Sequence, residues 1–240
     1  MAGQSSRFAN AGYELPKYML PLHGNPLFDW TVLSFKAYFE REIFLFIARD
    51  DQQIRSFLQS RINLLGIKSA YCIYLQSPTR GQAETVFLGL SEFRDKYPSR
   101  ELGPLTIFNI DTIRPNIQFP HYHGNSGWVE TFRAAGNNWS FVLPDADNKD
   151  NIKECSEKRR ISEFCCTGLY AFKNIEQFNW AYDFELKSPS SHELFIAPIY
   201  NHLISDGQQV KYYEVDSSEV FLSGIPSEYE SLKEFNNFLL

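Results

Sequence analysis

Extended apolar segments alternate with helical patterns between residues 42 and 110, and this alternation restricts the chain to few folds. The pattern predicts strand, helix, strand, helix and strand, in that order, at 42–48, 50–65, 71–75, 81–97 and 105–110. Strands separated by helices of this length pair in parallel through right-handed crossovers. We therefore predict an α/β fold with a Rossmann-like, mostly parallel sheet, whose ligands gather at the carboxyl ends of the strands.

The composition fits a single domain over residues 1 to 240. Of the 240 residues, 43% are hydrophobic and 16% are aromatic, which is ample material for one core. The net charge of −6 argues against a nucleic-acid partner, because nucleic acids are bound by basic faces. The longest apolar runs are far shorter than the roughly 20 residues that cross a bilayer, so no membrane partner is expected.

The cysteines and histidines indicate neither disulfides nor a metal cluster. Cys72, Cys155, Cys165 and Cys166 form no CxxC pair, and we interpret them as buried free thiols of a cytoplasmic protein. His121 and His123 have no third ligand nearby, so we interpret them as solvated loop side chains.

The first seventeen residues, MAGQSSRFANAGYELPK, form a small-residue loop that carries two cations. Arg7 can grip two phosphate oxygens and Lys17 adds a point charge, so together they suit a triphosphate. From residue chemistry alone, an ordinary surface turn is the more common interpretation of such a loop. Small side chains would let a phosphate reach the main chain, and the candidate contacts are Ala2, Gly3, Gln4, Ser5 and Ser6.

MAGQSSRF followed by PKYMLPLHGNPLFDW resembles the signature of the sugar-nucleotide pyrophosphorylases, or nucleotidyltransferases. In that family the loop and its Arg hold the nucleotide phosphates, and the Lys of the Pro-Lys pair neutralises the triphosphate. The resemblance implies these roles for Gly3, Arg7 and Lys17. Ser5 stands where the family usually has a second Gly. The family also has a strand before this loop, so we expect a start upstream of Met1 or a missing first strand, and greater solubility for an extended chain.

The segment QSPTRGQAETV, residues 76 to 86, follows the second predicted strand. Pro78 and Gly81 predict a tight turn, after which a helix begins with free N–H groups. Taken alone, this pattern is more commonly only a helix cap. The family has GxAxxv here and uses it to hold the nucleobase, so the resemblance implies nucleotide-binding roles for Gln76, Gly81 and Gln82.

The segment LTIFNIDTIRPN, residues 105 to 116, carries an aspartate at the end of a predicted strand. Such an Asp is often only a turn former, but its oxygens also suit Mg²⁺ shared with phosphate oxygens. The resemblance implies that Asp111 is a principal metal ligand and that Mg²⁺ is the cofactor. Asn109 and Asn116 are candidates to orient the site. Glycosyltransferases with a DxD pair are a competing interpretation, but Ile113 replaces the second carboxylate.

The segment SEKRRIS, residues 156 to 162, is a basic cluster of the kind that is usually a solvated face. In the family, the Lys of a Glu-Lys pair binds the phosphate of the second substrate, and the strand that follows, here CTGLYAFK, forms a wall of the acceptor pocket. The resemblance implies that Lys158 binds the acceptor phosphate, with Arg159 or Arg160 as substitutes. Further candidate acceptor contacts are Asn109, Glu157, Gly168 and Glu193.

The segment SGIPSEYESLKEF resembles the family's GTPxxLxxf segment, which follows an Asp that is the second metal carboxylate. Leu222 occupies that place. Asp216 and Glu219 lie a few residues upstream and are candidates for the missing ligand, and strand periodicity decides which one faces the cleft.

The resemblance spans nearly the whole chain and implies a reaction between two small-molecule partners. A phosphorylated acceptor would attack the α-phosphorus of a nucleoside triphosphate and expel pyrophosphate, and this anionic nucleophile needs no general base. The NID, EKxxIS and APIYN elements are similar to a branch that makes bacterial capsule and lipooligosaccharide precursors, including cytidylyltransferases. The alternatives are a catalytically impaired nucleotide-binding homologue and an NDP-sugar glycosyltransferase. The nucleobase, the acceptor and the oligomeric state stay open.

Overall fold

A computed structural model describes residues 1–3, 5–122 and 126–235, so the predictions for Gln4 and His123 lie outside the described residues. The helices are α1 (Ser6–Asn10), α2 (Leu27–Leu33), α3 (Gln52–Leu65), α4 (Gln82–Lys96), α5 (Ile175–Lys187), α6 (Tyr200–Ser205) and α7 (Pro226–Glu234). The strands are β1 (Pro21–Leu22), β2 (Asn25–Pro26), β3 (Ile43–Arg49), β4 (Ser69–Leu75), β5 (Leu105–Phe108), β6 (Thr112–Ile113), β7 (Gly127–Arg133), β8 (Ser140–Pro144), β9 (Ile152–Glu157), β10 (Phe164–Phe172), β11 (Lys211–Glu214) and β12 (Phe221–Leu222).

The chain divides into two compact units. The first comprises Met1–Pro78, Ile110–Phe119 and Ser218–Leu240, and the second comprises Thr79–Asn109 and Pro120–Ser217. A single domain over residues 1 to 240 stays a prediction.

The first unit contains the predicted strand–helix–strand repeat. β3 and β4 pair in parallel from Ile43 opposite Ser69 to Arg49 opposite Leu75, and α3 connects them. The side chain of Asp51 caps α3 by accepting hydrogen bonds from the N–H groups of residues 53 and 54. The helix ends at Gly66, whose φ of 72° is a left-handed conformation that glycine adopts without steric cost. These signals confirm the repeat predicted between residues 42 and 75.

A hydrophobic cluster of the first unit joins segments that are far apart in the chain. It packs α1 and β1 against β6 and α7, and its buried members are Phe8, Leu20, Leu22, Leu27, Ile113, Tyr229 and Leu232. β12 pairs antiparallel with β6, with Leu222 opposite Thr112. The cluster and this strand pair hold the loop before α1, the start of β6 and the start of α7 in one compact unit.

The second unit contains a six-stranded sheet in the order β11-β7-β10-β8-β9, with β5 also paired to β10. Among the described strands, β11 pairs in parallel with β7, as β3 does with β4, and the remaining pairs are antiparallel. The α/β class is confirmed, but the pairing is mixed. β5, expected as a third parallel strand, runs antiparallel to β10, which is buried along nearly its whole length.

Strand β9 is at one edge of this sheet, and a side chain occupies its outer side. Asn201 accepts a hydrogen bond from the N–H of Cys155 at 2.8 Å and donates one to the carbonyl oxygen of the same residue, also at 2.8 Å. The amide therefore pairs with β9 as a neighbouring strand would.

The four cysteines are free, and Cys155, Cys165 and Cys166 are buried as predicted, whereas Cys72 is only partly buried. Across the described residues, none of the helices is long and apolar enough to span a membrane.

Candidate functional site

Lys17 and Asp111 are in direct contact in the first unit. Lys17 begins a short 3-10 helix, Lys17–Met19, and Asp111 immediately precedes β6. The Lys17 ammonium donates a hydrogen bond to Asp111 Oδ2, and the two side chains are 21% and 22% exposed. Burial acts to raise the pKa of Asp111, but attraction and hydrogen bonding by Lys17 outweigh it and hold that pKa below its usual value. Asp111 is therefore an ionised, partly exposed carboxylate that can accept a cation.

The backbone around Asp111 is fixed by the segment that follows β12. Ser223 donates two hydrogen bonds to the carbonyl oxygen of Asp111, from its main-chain N–H at 2.9 Å and from its hydroxyl at 3.0 Å. The next residue, Gly224, lies against the Asp111 carboxylate, since a Cβ there would be 3.3 Å from Oδ2. The small residues Ser223 and Gly224 thus let this segment approach Asp111 closely.

A second carboxylate, Glu228, lies near Asp111. A Cβ on Gly224 would be 3.5 Å from Glu228 Oε2, so Gly224 lies between the two acids. Glu228 is in the first turn of α7, where Oε2 accepts hydrogen bonds from the N–H groups of Gly224 at 2.8 Å and Ile225 at 3.1 Å. Burial raises the pKa of Glu228, the two N–H groups oppose that rise, and the charge of Asp111 adds to it. Glu228 was not predicted from the sequence, although a Glu two residues after a Pro at a helix start is a recognisable capping signal.

Of the two carboxylates predicted as second metal ligands, Glu219 has another partner, and Asp216 stays a prediction. Glu219 pairs with Arg114, whose side chain is 7% exposed, at 2.6 Å between Oε2 and Nη1. A buried guanidinium needs this partner, because leaving it uncompensated is costly. Asp216 belongs to the second unit. Within the described ranges no group of three or more His, Cys, Asp or Glu residues could hold a metal ion. Asp111 supplies one carboxylate, with Glu228 also close to Gly224, and Mg²⁺ usually takes one or two carboxylates and keeps its other ligands from water and phosphate.

The loop before α1 has an unusual backbone at Ser5. Its φ is 50°, in the left-handed region, and its hydroxyl oxygen lies 3.5 Å from the N–H of Lys17. Glycine adopts this conformation freely, which is a physical reason for a Gly at this place in related loops. Ala2 is buried, whereas Gly3, Ser6 and Arg7 are exposed and accessible to a ligand.

The predicted nucleobase residues are divided between the two units. Gln76 follows β4 in the first unit, where its side-chain amide donates a hydrogen bond to Asp50. Gly81 and Gln82 belong to the second unit, at the start of α4. Gln82 Nε2 donates a hydrogen bond to Asn109 Oδ1 at 2.6 Å. The structure thus brings Gln82 to Asn109, a residue that the sequence analysis assigned to the acceptor.

Lys158 directly follows Glu157, the last residue of β9. Its backbone is in the left-handed conformation, with φ of 54°. Its ammonium lies 3.9 Å from Glu193 Oε2 and 4.5 Å from the centre of the Phe195 ring, and its side chain is 49% exposed. Strained backbone of this kind persists where the surroundings hold it, and it is common at functional sites. Glu157 accepts a hydrogen bond from the Ser140 hydroxyl, and burial raises its pKa.

The two arginines considered as substitutes for Lys158 have other partners. Arg159 pairs with Glu154, and Arg160 Nη1 donates hydrogen bonds to the carbonyl oxygens of Ala134 at 3.1 Å and Gly136 at 2.8 Å. Lys158 has a longer ion pair, at 3.9 Å to Glu193, and is therefore the better candidate for an anion ligand in this cluster.

These features define a class of protein: the small-residue loop and the Pro-Lys pair resemble the signature of the nucleotidyltransferases, and the structure adds an aspartate in contact with that lysine. A nucleoside-diphosphate-sugar pyrophosphorylase from Vibrio cholerae RC9 is 43% identical to this chain, with a TM-score of 0.93 and coverage of 98% of each chain. The chain therefore belongs to the nucleotidyltransferase family that includes this pyrophosphorylase.

More distant solved structures have the same fold. The inositol-1-phosphate CTP transferase of T. maritima is 15% identical, with a TM-score of 0.71 and coverage of 97% of this chain and 92% of that chain. A Bacillus anthracis protein described as a glucose-1-phosphate thymidylyltransferase, solved in complex with a sucrose, is 18% identical, with a TM-score of 0.73 and coverage of 97% and 91%. No family model matches the chain, and no curated protein matches it significantly.

Proposed function

We propose that this enzyme transfers a nucleoside monophosphate from a nucleoside triphosphate to a phosphorylated small-molecule acceptor and releases pyrophosphate. The observation that carries the proposal is the contact between Lys17 and Asp111 in the first unit. It joins a cation suited to phosphate and a carboxylate suited to Mg²⁺ in one partly exposed place. A site that binds a metal–triphosphate complex needs both a cation for the phosphates and a carboxylate for the metal.

In this proposal, Arg7 and Lys17 bind the triphosphate, with the main chain of residues 2 to 6 as further contacts. Arg7 is exposed in the first turn of α1, so its guanidinium can reach a ligand. Asp111 and Glu228 hold Mg²⁺, and the bound ion supplies charge neutralisation at the phosphate oxygens. Lys17 adds to this neutralisation, which favours pyrophosphate as a leaving group.

Residues of the second unit bind the acceptor in this proposal. Lys158 grips the acceptor phosphate, and Glu193 at 3.9 Å restrains the lysine side chain without burying it. Glu157 and Gly168 are further candidate contacts. The attacking phosphate oxygen is already an anion, so the enzyme needs alignment and charge neutralisation rather than a general base.

The neighbours suggest which substrate pairs to try first. Their names specify CTP with inositol 1-phosphate for one protein and a thymidine nucleotide with glucose 1-phosphate for another. We propose a sugar phosphate or a related capsule precursor as acceptor, and action in the cytoplasm. CTP is the first triphosphate to test, because the capsule branch includes cytidylyltransferases.

The decisive experiment measures pyrophosphate release by the purified protein with Mg²⁺. Five triphosphates (CTP, UTP, dTTP, ATP and GTP) are each combined with glucose 1-phosphate, inositol 1-phosphate, glycerol 3-phosphate and phosphocholine. We expect one pair to exceed all others, and the matching triphosphate with Mg²⁺ to raise the melting temperature. Binding of a triphosphate without pyrophosphate release from any pair would contradict the proposal and favour a non-catalytic homologue. Hydrolysis of an NDP-sugar would favour a glycosyltransferase.

A further inference from the structure

The side chains of Gln82 and Asn109 form an amide pair in the second unit. Gln82 is the first residue of α4, and Asn109 follows β5. The 2.6 Å hydrogen bond between Gln82 Nε2 and Asn109 Oδ1 leaves Gln82 Oε1 and Asn109 Nδ2 without a hydrogen bond to the described residues. Reversing both amides would again leave one acceptor and one donor, so the pair presents both kinds of group in either orientation.

The fold holds Asn109 rigidly in this place. Its main-chain N–H donates to the carbonyl oxygen of Gly168 at 3.2 Å, and a Cβ on Gly168 would lie 2.5 Å from Asn109 Nδ2. Gly168 has φ of +96°, and the register of β10 against β7 shifts between Cys166 and Tyr170. The glycine and the irregular strand therefore make room for the Asn109 side chain, and Asn109 in turn fixes the direction of Gln82.

The main chain beside Gln82 is bonded to the segment that carries Glu193. The N–H of Ala83 donates to the carbonyl oxygen of Leu194, and the N–H of Leu194 donates to that of Arg80, both at 3.0 Å. A Cβ on Gly81 would lie 2.3 Å from Leu194 O, so only glycine permits this approach. The adjacent Glu193 is 3.9 Å from the Lys158 ammonium. Gln82 is thus tied to the residues proposed for the acceptor, whereas Gln76 lies in the first unit.

We infer that Gln82 binds the acceptor rather than the nucleobase, and that Asn109 is the residue that positions it. This inference rests on the proposed function, because it specifies which of the two proposed substrates Gln82 binds. A free amide carbonyl and a free amide NH₂ side by side match an acceptor that carries hydroxyl groups, such as a sugar or polyol phosphate. They match poorly a phosphate ester whose remaining groups cannot pair with them, such as phosphocholine.

Steady-state kinetics on Gln82→Leu, Asn109→Leu and the double variant test the inference, with the substrate pair that releases pyrophosphate fastest. Loss of one neutral hydrogen bond corresponds to roughly a 3- to 10-fold effect. We expect each single variant to raise the acceptor KM by about this factor. The acceptor KM of the double variant should be no higher than that of the more impaired single variant, because the pair acts as a unit. The triphosphate KM should stay within about twofold. Asn109→Asp still accepts from Gln82 but lacks the free NH₂ group, so it should raise the acceptor KM less than Asn109→Leu does.

The chain provides a matched control in another amide pair. Gln59 and Asn63 on α3 are joined by a 3.2 Å hydrogen bond and are exposed, so their leucine variants should leave both KM values unchanged. A raised triphosphate KM with a normal acceptor KM in Gln82→Leu would overturn the inference in favour of the nucleobase. Independent, additive effects of the two substitutions would overturn the role of Asn109 in positioning Gln82. Absence of turnover by the wild-type protein with every pair would instead contradict the proposed function.

Discussion

The Lys17 ammonium and the Asp111 carboxylate form an ion pair across a separation of 94 residues in the chain. The contact connects the loop before α1 to the start of β6 within the first unit. Each charge is proposed to bind a different part of a metal–triphosphate complex, the lysine its phosphates and the aspartate its metal. A ligand that engages both groups must therefore exchange this ion pair for two new contacts, and the two residues should respond differently to substitution.

Asp111→Asn and Lys17→Ala should impair the enzyme in distinct ways. Loss of Asp111 removes a metal ligand, so we expect turnover to collapse and added Mg²⁺ to restore little. Loss of Lys17 removes a charge-assisted contact of ~1.5 to 3 kcal/mol, so the triphosphate Kd should rise roughly 10- to 150-fold. Kinetics with varied Mg²⁺ and calorimetry of triphosphate binding measure the two effects.

The exposed Lys36 is the matched control for Lys17, and Lys36→Ala should bind the triphosphate as the wild type does. Normal turnover in Asp111→Asn would exclude Asp111 from the metal site. An unchanged triphosphate Kd in Lys17→Ala would exclude Lys17 from triphosphate binding.

Glu228→Gln should weaken divalent-ion binding without loosening α7. The amide oxygen of Gln can still accept from the N–H groups of Gly224 and Ile225, so the start of the helix stays capped. We expect a loss of about tenfold or more in Mn²⁺ affinity, measured by titration with triphosphate present. Glu230→Gln, on the exposed side of the same helix, is the control. Equal Mn²⁺ affinity in both variants would remove Glu228 from the site.

Lys158→Ala should raise the acceptor KM and lower turnover, because the acceptor phosphate would lose its cation and its alignment. The triphosphate KM should change little. Arg159→Ala is the matched control, since Arg159 is already paired with Glu154. Steady-state kinetics with each substrate varied in turn measure both parameters. A Lys158→Ala enzyme with normal acceptor KM and turnover would show that Lys158 is only a solvated charge.

Ser5→Gly should preserve stability, and Ser5→Val should lower it. A left-handed conformation costs an L-residue roughly 1 to 2 kcal/mol, and the cost is greater for a β-branched side chain. Glycine relieves the strain, although its flexibility in the unfolded chain offsets part of the gain. Chemical denaturation measures the free energy of unfolding. Ser6→Val, in the right-handed helix one residue later, is the control. Equal losses for both valine variants would contradict the role of the Ser5 backbone.

The stability of the protein should depend on pH through Glu157. Burial raises the pKa of this carboxyl in the folded state, so ionisation costs stability. That cost is absent below the pKa of the unfolded chain, about 4.3, and it develops as the pH rises through the folded value. The melting temperature of the wild type relative to Glu157→Gln should therefore fall as the pH rises above about 4.3.

The Ser140 hydroxyl provides a second test of this pH dependence. It donates to Glu157 and lowers the pKa of the carboxyl, so Ser140→Ala should shift the transition to higher pH. A difference in melting temperature between the wild type and Glu157→Gln that is constant with pH would contradict the prediction.

Local signals were enough to predict α3, since the cap at Asp51 and the stop at Gly66 act within a few residues of the helix. The loop with Arg7 and Lys17 was recognisable for a similar reason, because its chemistry is concentrated in a short segment. The antiparallel pairing of β5 with β10 was not predictable, since partners some sixty residues apart are selected by the packing of the whole sheet. Glu228 was missed because a carboxylate that caps a helix looks structural until the fold brings Asp111 beside it.

The side chain of Asn201, which extends from α6 to the edge strand β9, affects how readily the protein can associate in concentrated solution. An edge strand with unpaired N–H and carbonyl groups is a template onto which another chain can add a strand. At Cys155 both groups are already bonded to the Asn201 amide, so an incoming strand would have to displace a side chain anchored on α6. Asn201 therefore keeps the Cys155 N–H and carbonyl unavailable to a strand of another chain, and its replacement by leucine would leave both buried groups without this partner.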